Sequence, residues 1–151
     1  MRAKILNASA GSGKTYQLAY KYVRDVVEQP SIYRHILAVT FTNKATEEMK
    51  SRILKEIHLL ASGGESSYLE NLCRELDMDA ATVRRRAAEV RSKILHDYSR
   101  FTVLTIDTFF QRILRAFIKE LGIDLNYNVE IETASVLTKS ADTLIEQITT
   151  D

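Results

Sequence analysis

Residues 8–15 read Ala-Ser-Ala-Gly-Ser-Gly-Lys-Thr, and no other stretch limits the possible folds of this chain so strongly. The short apolar run Lys4-Ile5-Leu6 before it suits a buried strand, and helical spacing follows from Tyr16 to Val27. A strand, a glycine loop ending in Gly-Lys-Thr and a helix make up a P-loop. Gly11 and Gly13 lack a Cβ, so the backbone can fold tightly and turn successive N–H groups toward phosphate oxygens. The partial positive charge of the helix N-terminus adds to the same spot. Lys14 is then placed for β- and γ-phosphates and the Thr15 hydroxyl for Mg²⁺. Ala8 stands where the motif has its first glycine.

The 151 residues suffice for about one domain, and 45% hydrophobic with 27% charged content is ordinary for a soluble globular protein. A net charge of +1 gives no global basic field, although single strands can be held by stacking and local charge. One cysteine, Cys73, and three histidines make no disulfide or metal framework. No apolar run approaches the length of a membrane span, and the first strand leaves no room for a leader, so a cytoplasmic compartment is expected.

Leu18, Tyr22, Val23, Val26 and Val27 fall on one face of the first helix, and Pro30-Ser31 breaks the pattern. His35 to Thr40 reads as a second buried strand. Thr42-Asn43 offers caps for a helix from Lys44 to about Ala61, with Ala45, Met49, Ile53, Ile57 and Leu60 at helical spacing. Ser62-Gly63-Gly64 begins a flexible connection, followed by helices over 68–76 and 82–98. Arg84, Arg85, Arg86, Arg91 and Lys93 on the second of these read as a solvated face, balanced by Glu89 and Asp97.

Phe101 to Ile106 is the third strand. Thr108 and Gln111 then form a capping box for a helix with Phe110, Ile113, Leu114, Phe117, Ile118 and Leu121 as its buried stripe, ended by Gly122. A short strand over 128–132 and a helix over 134–148 are expected in the tail. The alternation predicts an α/β fold, a parallel sheet flanked by helices with a helical insertion over about 63–99. Ligands of such sheets bind at the strands' carboxyl ends. The P-loop, the 40–43 turn and the 105–108 turn should therefore share one rim.

These three blocks, including Leu37-Ala38-Val39-Thr40-Phe41-Thr42-Asn43-Lys44-Ala45 with Glu48-Met49, and Thr105-Ile106-Asp107-Thr108-Phe109, resemble superfamily I DNA helicases of the UvrD/Rep type. The start directly into Ala-Ser-Ala-Gly is most similar to the RecB and AddA exonuclease–helicase branch. The resemblance implies a RecA-like ATP-binding domain in which Ala8, Ser9, Ala10, Gly11, Ser12, Gly13, Lys14 and Thr15 hold Mg²⁺·ATP, with Lys14 catalytic. It implies that Phe41, Thr42, Asn43, Thr105, Thr108 and Phe109 contact single-stranded DNA. Phe41 could stack on a base or end its strand in the core. Asp107 stands where the family has His, and helix capping is its expected role.

A Walker B Asp-Glu pair does not occur in the sequence. The expectation is thus the N-terminal part of a longer DNA helicase or exonuclease subunit for recombination or repair, inactive alone, with residues 123–151 starting a further helical subdomain. Its partners would be the remaining helicase domains and a nuclease or helicase subunit. The alternatives are a compact P-loop kinase using Asp107 for Mg²⁺, and a non-catalytic RecA-like DNA-binding module.

Overall fold

The computed structural model describes residues 13–120, together with 137–138, which are helical. The expected first strand, loop residues Ala8 to Ser12, Leu121-Gly122, the strand over 128–132 and nearly all of the 134–148 helix lie outside the described residues. The chain divides into two compact units, 1–111 and 112–151.

The first unit opens on α1 (Lys14–Glu28), which buries Ala19, Tyr22, Val23, Val26 and Val27. Leu18, expected on that face, is 44% exposed. Ala19 takes the place, because it precedes Tyr22 by three residues and Val23 by four and so lies over both. Pro30 then starts a 3₁₀ turn (Pro30–His35). The strand expected from His35 is therefore shorter, and β1 spans Ala38–Thr40.

Helix α2 (Asn43–Ser62) starts at a Thr42 cap, whose hydroxyl accepts from the Ala45 amide at 3.1 Å. It ends at Gly63, whose φ of 79° is the left-handed geometry that favours glycine at a helix end. Helices α3 (Leu69–Leu76) and α4 (Ala80–His96) follow, the latter capped by Asp79 accepting from the Thr82 amide at 2.8 Å. Of the basic residues expected to form a solvated face on α4, Arg85 is exposed, while Arg84, Arg86, Arg91 and Lys93 are half-buried. The Arg86 guanidinium donates to the Val27 and Glu28 carbonyls, closing the C-terminal end of α1.

Strand β2 (Val103–Thr105) pairs in parallel with β1, in the register Ala38 to Val103, Val39 to Leu104 and Thr40 to Thr105. Parallel neighbours need a crossover, and α2, α3 and α4 together form it. The sequence expectation of a helix-flanked parallel sheet is met by this pair among the described residues, within a helix-rich α/β arrangement. Val23, Ile53, Ile57, Leu60, Leu72, Val90 and Ile94 meet in one core. Tyr33 is fully buried there, and its hydroxyl donates to the Lys93 carbonyl at 3.2 Å.

Helix α5 (Ile106–Glu120) begins immediately after β2. Ile118 of its expected apolar stripe is buried, whereas Phe110, Ile113, Leu114 and Phe117 are exposed. No helix among the described residues is long and apolar enough to cross a membrane.

Candidate phosphate and single-strand site

Gly13 occupies the N-cap of α1 with φ 75° and ψ 22°. A side chain there would be strained, although only Tyr16 Cβ, at 4.0 Å, would meet an added Cβ. Having no side chain, this cap leaves the first-turn amides uncapped by it, and that turn carries no acidic residue. A helix N-terminus of this kind attracts anions through its amides and its dipole. Lys14 and Thr15 open the helix, the lysine exposed and the threonine half-buried. The donor set suits a phosphate: backbone N–H groups, one cation and one hydroxyl, with no carboxylate in the turn to repel it.

Behind this turn the packing is aromatic. Tyr68 sits edge-on against Tyr16 and Tyr20, with ring centroids at 5.1 and 5.2 Å. Its hydroxyl donates to the Tyr16 carbonyl at 3.5 Å. The Arg52 guanidinium lies over the Tyr16 ring, 6.0 Å from its centroid. Burial, reinforced by the Glu56 carboxylate, pushes the Tyr68 hydroxyl up to about 12. Burial, with Glu75 beside it, likewise raises Tyr20 to about 12. Sequence reasoning missed this brace. Its only trace is the tyrosine spacing at 16 and 20, with Tyr68 far off at the start of the helix expected over 68–76.

The second cluster lies where β1 and β2 end side by side. Thr40 and Thr46 share a 2.6 Å hydroxyl hydrogen bond, and the Thr46 hydroxyl is also 3.1 Å from the Thr42 carbonyl. Thr42 is occupied as the α2 cap, while Asn43 is exposed. On the neighbouring strand, Thr105 is 7% exposed, bonded at 2.8 Å to the Thr108 hydroxyl and accepting from the Thr108 amide at 3.2 Å. Thr105, not the expected Thr108-Gln111 box, therefore caps α5, because the helix starts three residues earlier than the box requires. Asp107 stands exposed in the first turn of α5, where its charge suits the helix dipole without capping.

Phe41 is 85% exposed. Of its two readings, the core-ending strand residue is thereby set aside, and an apolar ring is left in solvent between Thr40 and Thr42. Phe109 is half-buried and packs on Phe110, with ring centroids at 5.5 Å. The structure thus brings the 40–43 and 105–108 turns together. The loop that would link α1 to the same rim lies outside the described residues.

Sequence comparison finds relatives among helicase/nuclease subunits. RecB of Haemophilus influenzae, named as a subunit of the RecBCD enzyme, is 28% identical over 91% of this chain and 13% of its own length. An ATP-dependent helicase/nuclease subunit from Lactobacillus delbrueckii is 28% identical over 87% of this chain and 9% of its own. For RecB of Escherichia coli the figures are 29%, 80% and 11%. The chain thus spans about a tenth of the length of these relatives. No solved structure matches significantly. The family model of the UvrD/REP helicase N-terminal domain matches residues 2–151, and the chain belongs to that family.

Proposed function

We propose that this chain is the N-terminal ATP-binding part of an ATP-dependent DNA helicase or helicase/nuclease subunit that translocates on single-stranded DNA in recombination or repair. The observation that carries the reading is the strand-end rim, where exposed Phe41 and the two threonine turns lie on neighbouring parallel strands. The start of α1 at Gly13, with no side-chain cap from that residue and no acid in its first turn, supports the nucleotide half of it. We assign the complete domain a RecA-like fold, with the segment of about 63–99 as a helical insertion in the crossover and 123–151 opening a further helical subdomain. The natural partners would be further helicase domains and a nuclease or helicase subunit, in the cytoplasm.

In this reading residues 8–15 cradle the phosphates, with Lys14 neutralising charge on the β- and γ-groups and Thr15 donating its hydroxyl oxygen to Mg²⁺. Mg²⁺·ATP, when bound, supplies the hydrolysable phosphoanhydride. Phe41 offers a flat face to any base, which suits movement without sequence preference. Asn43, exposed, and the α2 and α5 N-termini are placed to hold backbone phosphate. The Thr105 and Thr108 hydroxyls, bonded to one another, act chiefly by fixing the start of α5. Because Asp107 is exposed in a helix turn, the compact-kinase alternative gains no support from its position.

The test is equilibrium binding of a labelled oligo-dT strand by this chain and by Phe41→Ala. Loss of base stacking should weaken binding by about 1–3 kcal/mol. Unchanged affinity would remove the single-strand role of this rim.

A further inference from the structure

Away from that rim, α2 and α4 leave a groove of about 190 Å³ between them, walled by Leu54, Ile57 and Ile94 and continued by Leu95 and Tyr98. Leu95 is 71% exposed and Tyr98 half exposed, so the apolar path runs out onto the surface. His58 from α2 and Arg91 from α4 complete the lining. Lys55, exposed, shares the outward side of α2 with Leu54 and His58.

Among the described residues no carboxylate answers Arg91 or Lys55. The acids of both helices are engaged elsewhere: Glu47 with Lys50, Glu48 with Arg52, Glu56 with Ser66 and Glu89 with Lys93. Asp97, beside Tyr98, is held by Arg34 at 3.2 Å. Asp79 is spent on the α4 cap. Arg91 and Lys55 make no ion pair among the described residues. A phosphate backbone would match the charge but not the aliphatic floor, where it would lose hydration without gaining donors.

We propose that this groove is a docking site for an acidic amphipathic helix of a partner protein. One or two large apolar side chains of that helix fill the space between Leu54, Ile94 and Leu95, and flanking carboxylates meet Arg91, His58 and Lys55. The mode is a helix in a groove, with an apolar anchor giving affinity and the rim charges giving orientation. The inference is independent of the rim carrying Phe41 and does not rest on its function.

The test uses the full chain and a synthetic helical peptide with leucines at i, i+3, i+4 and i+7 flanked by glutamates, beside the same peptide flanked by lysines. Methyl NMR shifts of Leu54, Ile57, Ile94 and Leu95 report occupancy. The glutamate peptide should bind saturably with shifts confined to this groove, and the lysine peptide should not. Arg91→Glu, and separately His58→Glu at an exposed position, should each weaken binding by about tenfold. Leu95→Asp, on a side chain already in solvent, should abolish it while leaving oligo-dT binding unchanged. Equal binding of both peptides, indifference to the charge reversals, or the same shifts from duplex DNA would overturn the proposal. So would concentration-dependent shifts without peptide, which would mean that a second copy fills the groove.

Discussion

Thr40 and Thr105 are register partners, the last residues of two adjacent parallel strands, and each hydroxyl is tied into the helix that follows its own strand. Thr40 bonds Thr46 in the first turn of α2, and Thr105 bonds Thr108 in the first turn of α5. Two helix N-termini are thereby fixed at the ends of adjacent strands, with Phe41, in the turn between β1 and α2, exposed to solvent. Helix starts placed this way present amide donors to one side of the sheet, where a nucleic-acid backbone can be gripped.

Thr42 caps α2 through one hydroxyl bond. Thr42→Ala should lower stability by about 1 kcal/mol, and Thr42→Ser should restore most of it. Thermal or urea unfolding checks this; an unchanged midpoint for the alanine variant would show that the cap contributes nothing.

Gly13 adopts a backbone geometry that other residues enter at a cost of about 1–2 kcal/mol. Gly13→Ala should lose that much stability, or shift the start of α1 and weaken nucleotide binding instead. Measuring both quantities on one variant decides between them, and a variant normal in both would refute the role of this turn.

Tyr68 locks the first turns of α1 from behind, fully buried between Tyr16 and Tyr20. Tyr68→Ala should cost about 3–5 kcal/mol, as other deletions of large buried aromatics do. Tyr68→Phe keeps the ring and should lose only the long hydroxyl contact, about 1 kcal/mol or less. Equal losses for the two variants, in the same unfolding assay, would mean that the ring packing is not what holds α1.

The same tyrosine predicts a pH dependence. In the unfolded chain its hydroxyl titrates near 10, while in the folded protein burial holds it to about 12. The neutral form is favoured by folding, so this contribution is complete below pH 10 and fades as pH rises toward 12. Tyr20 behaves alike. Stability should therefore fall between pH 10 and pH 12, and less steeply in Tyr68→Phe. Identical alkaline slopes for wild type and variant would contradict the assignment.

Much of this fold is legible from residue spacing. Met49, Ile53, Ile57 and Leu60 repeat every three or four residues and are buried on α2. The strand cores at Ala38–Thr40 and Val103–Thr105 also fall where their apolar runs lie. Boundaries are harder, because they depend on local competition. Pro30 draws His35 into a 3₁₀ turn, and Thr105 captures the Thr108 amide before a Thr108-Gln111 box can form. Long-range partners are not legible at all. Nothing in the arginine run distinguishes Arg86, which reaches the end of α1, from its neighbours on either side. Tyr68 likewise gives no local sign of its place against Tyr16 and Tyr20. For the candidate site, the residue types and their order are readable, whereas the exposure of Phe41 required the structure.

The central claim is that the start of α1 holds nucleotide phosphates through residues 13–15 and the loop before them. Calorimetric titration of Mg²⁺·ATP into this chain and into Lys14→Ala, with circular dichroism to confirm the fold of each, tests it most directly. Saturable binding is expected, lost or weakened at least about tenfold in the variant while α1 remains folded. Equal affinity in the two proteins, or no binding by the unaltered chain, would contradict it.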